Sequence, residues 1–278
     1  MHKSEEPKTR GRLYMKAATA YFGLRRHVAW MKSARELTRE KLQSDLPFVY
    51  ASHRTPMLRR LSGLDMRLQE NKVTNLKIAA GCLDGLILRP GMTFSFWYNV
   101  GKPSRRRGFL EGMYLQNGKI VPGVGGGLCQ MSNLIYWITV HTPLTVTERH
   151  RHGYDVFPDA KRTQPFASGA TVYYPFVDLT IRNDTSSDYQ LRVGIDGDCL
   201  TGEWRTSSKP EFRYEVVEKD HSIRSEFWGG YTRHNAPWRN VYDTEGNFLR
   251  EEFITENDAL MLYSPLLSDN SSHEEYVR

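Results

Sequence analysis

Residues 123–133 read Gly123-Val-Gly-Gly-Gly-Leu-Cys-Gln-Met-Ser-Asn133, and this stretch decides how the middle of the chain folds. Glycine has no Cβ, so the run can take positive φ and let backbone approach a ligand closely. Directly after it, Met131, Leu134, Ile135 and Ile138 recur at helical spacing. The spacing predicts a helix that begins at Cys129 and stops at Pro143. A thiol at a helix start sits among free N–H groups at the positive end of the dipole, which lowers its pKa from ~8.5. That points to a nucleophile. A plain turn carrying a buried cysteine is the alternative.

Outward from this helix the pattern changes on both sides. Toward the N-terminus, Leu13, Ala17, Ala20, Tyr21, Leu24, Val28 and Met31 recur at steps of three and four, which predicts one or two amphipathic helices over residues 11–44. Residues 48–70 read as a connector, and Val73 to Leu83 as a further helix capped by Asn71. Asn117-Gly118 between Tyr114-Leu-Gln and Lys-Ile-Val121 predicts a hairpin. Toward the C-terminus, Thr145–Thr147, Thr171–Ile181, Tyr189–Ile195 and Leu200–Trp204 alternate as strands, and Asp196-Gly197 supplies a turn. From Lys209 the chain is aromatic and strand-like. The expected class is α+β: a helical N-terminal region on a mixed, mainly antiparallel sheet with a central helix starting at Cys129. The expected division is a basic helical region 1–70, a core domain 71–208 and an aromatic β extension 209–278.

With 39% hydrophobic and 12% aromatic residues, 278 residues can bury a proper core. Three distant cysteines (Cys82, Cys129, Cys199) fit neither a disulfide framework nor a zinc template, so neither metal nor cofactor is expected. Charge is uneven: residues 1–70 carry 15 Lys and Arg against 7 Asp and Glu, while the rest is slightly acidic. The basic start suits a solvated helical face or peripheral contact with an anionic membrane. No nucleic-acid motif is present. No signal peptide or spanning segment is readable, so the expected location is cytoplasmic, at most peripheral to the inner leaflet.

Arg89-Pro-Gly-Met-Thr-Phe-Ser-Phe96, Val100-Gly101, Gly108-Phe109, Asn117-Gly118, Gly125-Gly-Gly-Leu-Cys-Gln130 and Glu148-Arg149-x-x-His152 together resemble the VanW family, over about 71–183. The family takes its name from an accessory protein of glycopeptide-resistance clusters. Some cell-wall proteins with such a domain are regarded as L,D-transpeptidases using the motif cysteine, here Cys129. The resemblance implies a cysteine acyltransferase acting on peptidoglycan peptides or precursors, with His152 as base and His150 as the alternative. The residues supply the rest of a site: oxyanion donors at Gly127 and Gln130, and substrate contacts at Arg149, Gly125 and Gly126. Where many members carry Gly-x-Asp-Ala-Thr-Val, this chain has Gly169 at the acidic position; Asp155, Asp159 or Asp178 would then have to orient the histidine. The competing reading is a non-catalytic accessory protein that binds cell-wall precursors or a partner.

Overall fold

A computed structural model describes residues 11–58, 65–116, 119–155 and 164–263. The class is α+β, as the periodicities predict. Helix α1 (Arg12–Lys32) comes first. The stretch read as a connector is instead strand β1 (Phe48–Pro56), paired antiparallel with a strand more than 140 residues later. Its half-buried positions are Tyr50, Ala51, His53 and Thr55. Only two of these are apolar, so no period-two hydrophobic signal marks the strand. Helix α2 (Met66–Leu83) starts earlier than Val73, and its cap is Asp65, whose carboxylate accepts the Arg67 N–H at 2.9 Å. Asn71 lies inside the helix and donates to the Glu111 carbonyl.

Short strands β2 (Ile87–Leu88) and β3 (Thr93–Ser95) lead into the one-turn helix α3 (Phe96–Val100). Strands β4 (Glu111–Gln116) and β5 (Lys119–Val124) pair antiparallel up to Gln116 opposite Lys119, as a two-residue hairpin requires; the Asn117-Gly118 turn itself lies outside the described residues. Helix α4 (Cys129–Val140) begins where the sequence places it. It is followed by β6 (Thr145–Glu148), β7 (Tyr154–Asp155) and β8 (Thr180–Arg182). The strand expected from Thr171 is confined to its last residues, because the chain turns back at Tyr173–Val177 around Pro175, where the two residues exchange backbone hydrogen bonds. Proline cannot donate to a ladder.

Strands β9 (Tyr189–Asp196) and β10 (Cys199–Thr206) form a hairpin in a sheet of order β1-β10-β9-β2. Strands β11 (Arg213–Ser225), β12 (Tyr231–Tyr242), β13 (Phe248–Phe253) and β14 (Asn257–Met261) build a second sheet, which β7 joins through a parallel pairing with β14. The sheet content is therefore split into several small sheets.

The core lies between the first sheet and the two helices packed on it. Leu76, Ala79 and Leu83 of α2 and Met131, Leu134, Ile135 and Ile138 of α4 meet Leu191, Leu200 and Trp204. The Trp204 indole N–H donates to Thr139 Oγ1 at 2.9 Å, so burial leaves it paired. Arg239 of β12 donates to the carbonyls of Val140 and Thr142 at 3.1 and 2.8 Å, capping α4 with a cation at its negative end.

One polar side chain fixes how the hairpin meets α2. Asn75 is fully buried; its amide donates to the carbonyls of Leu110 (3.1 Å) and Gly126 (2.9 Å) and accepts the Leu110 N–H (2.9 Å). Asn75→Ala should therefore lower unfolding stability by about 2 kcal/mol in urea titration, because the Gly126 carbonyl and the Leu110 N–H lose their partner while the Leu110 carbonyl keeps the Gly125 N–H.

Candidate functional site

The three glycines ahead of Cys129 are each constrained, and by the protein itself. A Cβ on Gly126 would overlap the Gly112 carbonyl group. Gly127 has φ +90°, and a Cβ there would strike the stem of the buried Lys72. Gly125, at φ +81°, packs on Pro103 and the Tyr114 hydroxyl. The close backbone approach that the sequence assigns to a ligand is thus made to β4 and α2.

This loop sets Cys129 against the segment 170–172. Ser132 donates to the Ala170 carbonyl at 2.6 Å, and Asn133 accepts the Ala170 N–H at 2.8 Å. The Cys129 Sγ then lies 3.6 Å from the Val172 carbonyl. Burial pushes the thiol up, and hydrogen bonding from the backbone of Val172 and of Cys129 itself offsets only part of that. Burial thus favours the protonated thiol, while the helix start favours the thiolate. Tyr114 is the phenol beside it: burial, then Tyr173 and Cys129, push it up to about 12. It donates to the Val124 carbonyl and meets Tyr173 edge-on at 5.7 Å.

His152 is neutral, pulled down by burial and the neighbouring Arg151. Among the described residues no hydrogen bond links its ring, or that of His150, to Cys129. His150 instead approaches Glu148 at 3.2 Å, and its carbonyl accepts the Thr171 N–H, one residue from Val172. The expected oxyanion and substrate groups are divided. Among the described residues the N–H of Gly127 makes no backbone hydrogen bond, and that of Cys129 faces its own thiol. The Gln130 amide reaches away to the Pro56 carbonyl at 2.7 Å. Arg149 points into the fold: it donates to the carbonyls of Gly169 (2.9 Å) and Ala167 (2.5 Å) and to Thr255 and Asn257, and it lies over the Tyr136 ring.

Among the described residues, no hydrogen bond joins Asp155 or Asp178 to His150 or His152. Asp178, fully buried, caps α3 by accepting from Ser95 Oγ (2.5 Å) and the Trp97 N–H (3.0 Å). Asp155 accepts from Tyr263 and faces Arg233. Asp159 lies outside the described residues. At Gly169 a Cβ would run into the Asn133 amide, so the space beside that position is already filled by α4. His234, Glu256 and Asp258 bring potential metal ligands together among the described residues. The carboxylates approach opposite ring nitrogens of His234, at 3.8 and 2.9 Å.

A cavity of about 340 Å³ opens at the other end of α4, lined by Tyr50, Trp137, His141, Phe212, Arg213 and Tyr214 among others. His141 Nδ1 donates to the Trp137 carbonyl at 2.8 Å, leaving Nε2 as an acceptor, and burial pulls its pKa down so that the ring stays neutral. The sequence shows His141 as one of three histidines near Cys129. Its signal as a cavity residue was hidden, because the other walls come from β1 and β11.

A glycine loop delivering a cysteine to a central helix, over a four-stranded antiparallel sheet, defines a class. The family model described as VanW like protein matches residues 71–205, and over this segment the chain is VanW-like. It is 37% identical over 175 residues to the Vancomycin B-type resistance protein VanW of Enterococcus faecalis (strain ATCC 700802 / V583), covering 63% of this chain and 64% of that protein. It is 31% identical over 78 residues to the uncharacterized protein YoaR of Bacillus subtilis (strain 168), covering 28% of this chain and 26% of that protein. The chain thus spans under two thirds of either relative. No solved structure is a significant match.

Two outcomes test the geometry. Gly126→Ala should cost about 2–3 kcal/mol through overpacking, whereas Gly81→Ala, with open space around it, should stabilise α2 by about 0.5–1 kcal/mol. Burial raises the Asp178 carboxyl from 3.8 to about 6. A raised folded pKa means the native chain holds the extra proton between those values, so stability should fall as pH rises through that window. Asp178→Asn should flatten that part of the stability–pH curve measured by thermal unfolding.

Proposed function

We propose that this VanW-like chain serves glycopeptide resistance by binding a cell-wall peptide or its precursor, and that Cys129 holds the binding scaffold rather than attacking substrate. The link to resistance rests on the 37% identity to the Vancomycin B-type resistance protein VanW. The observation that carries the choice of binding over acyl transfer is the state of Cys129: burial raises the thiol, and no histidine is bonded to it among the described residues. A nucleophilic cysteine needs a lowered pKa or an adjacent base. Arg149, the expected substrate contact, and Gln130, an expected oxyanion donor, are engaged by internal carbonyls.

The cavity at the end of α4 offers what a peptide would use. Its volume is in the range of small-ligand pockets. Tyr50, Trp137 and Tyr214 give apolar walls, His141 Nε2 accepts a hydrogen bond, and Arg213, held over Tyr242 and 3.6 Å from the exposed Glu215, would exchange that contact for a ligand carboxylate.

Alkylation by iodoacetamide at neutral pH separates the readings. Cys129 in the folded chain should react at least about tenfold more slowly than in the unfolded chain. Intact mass after incubation with muropeptides should show no acyl adduct. Calorimetry with a cell-wall pentapeptide should show binding that Arg213→Glu weakens about tenfold or more. Fast alkylation with an acyl adduct on Cys129 would establish the cysteine acyltransferase instead, and absence of peptide binding would end the binding reading.

A further inference from the structure

The apolar stripe of α1 faces the wrong way for a core helix. Leu13, Tyr21, Leu24 and Met31 are 84, 62, 64 and 68% exposed, and Ala17 and Ala20 beside them are also exposed. At about 100° per residue these positions share one face of roughly 120°. The helix is held to the protein by its opposite side. Arg26 makes two 2.7 Å bonds to the Glu148 carboxylate and one of 2.9 Å to the Phe176 carbonyl. Trp30 and His27 pack on Tyr174, and Gly23 lies against Pro175. Anchoring through Arg26 and a small aromatic cluster, with the long apolar stripe outward, reverses the usual arrangement of a surface helix.

The charges indicate what covers that face. Helix α1 contains no Asp or Glu. Exposed Arg25 and Lys32 border the stripe on one side and exposed Lys16 on the other, while Arg26 is already neutralised by Glu148. A second copy would set cation against cation across the contact, whereas anionic headgroups would meet the basic rims as the apolar stripe sinks among acyl chains. No helix among the described residues is long and apolar enough to cross a membrane. We infer that α1 is an interfacial helix that lays the protein on an anionic bilayer, its axis parallel to the surface and Leu13, Tyr21, Leu24 and Met31 inserted.

The test is co-sedimentation of the full chain with vesicles of phosphatidylcholine alone or mixed equally with phosphatidylglycerol. Binding should require the anionic lipid and fall with added salt. Leu24→Glu, and separately the combined Lys16→Glu, Arg25→Glu and Lys32→Glu, should each weaken it about tenfold or more, with the thermal midpoint and pentapeptide binding unchanged. Failure to bind the mixed vesicles, or binding that survives Leu24→Glu, would overturn the inference. So would a concentration-dependent dimer that Leu24→Glu dissolves, or a stoichiometric acidic protein partner that α1 binds while ignoring vesicles.

Discussion

The architecture around Cys129 depends on one backbone-to-backbone approach, that of Gly126 to Gly112, which the Asn75 amide holds in place. Two peptide groups meet there with no side chain between them, and a buried amide uses its donor and acceptor capacity on the strands that converge. Everything downstream inherits that position. The loop sets where α4 begins, α4 sets where the Ala170–Val172 segment lies, and that segment determines what the thiol touches. A site arranged this way is rigid, because each of its parts is also a packing element.

The glycine run and the periodicity after it place α4 correctly from sequence because helix start and core face are both local signals. The hairpin turns are legible for the same reason: Gly197 and Gly246 have positive φ, the conformation that their turn sequences demand. Strand β1 was not legible, since pairing with β10 over such a separation leaves its inward positions to His53 and Thr55 as well as apolar residues. The amphipathic pattern of α1 specifies a helix, but a pattern cannot say whether its apolar face meets the core or something else.

The same split holds for the candidate site. Residue types and order marked Cys129, Gly125 to Gly127 and Arg149 as special, and the structure gives each a definite role. What the sequence could not supply was direction. Arg149 turns inward to four acceptors, Gln130 turns toward β1, and the thiol meets backbone rather than imidazole. Motif residues can be demanded by packing as strictly as by chemistry, and the two demands look alike when read along the chain.

The inward turn of Arg149 carries a consequence for how the molecule comes apart. Its guanidinium joins β6's exit and the Ala167–Gly169 loop to Thr255 and Asn257, and Arg239 joins β12 to the end of α4. Severing the polypeptide after residue 208 would strip both contacts at once. It would leave a largely buried cation with two of its four acceptors and the carbonyls of Val140 and Thr142 without the Arg239 donor. The family segment and the strands that follow it therefore share polar contacts that neither would keep alone.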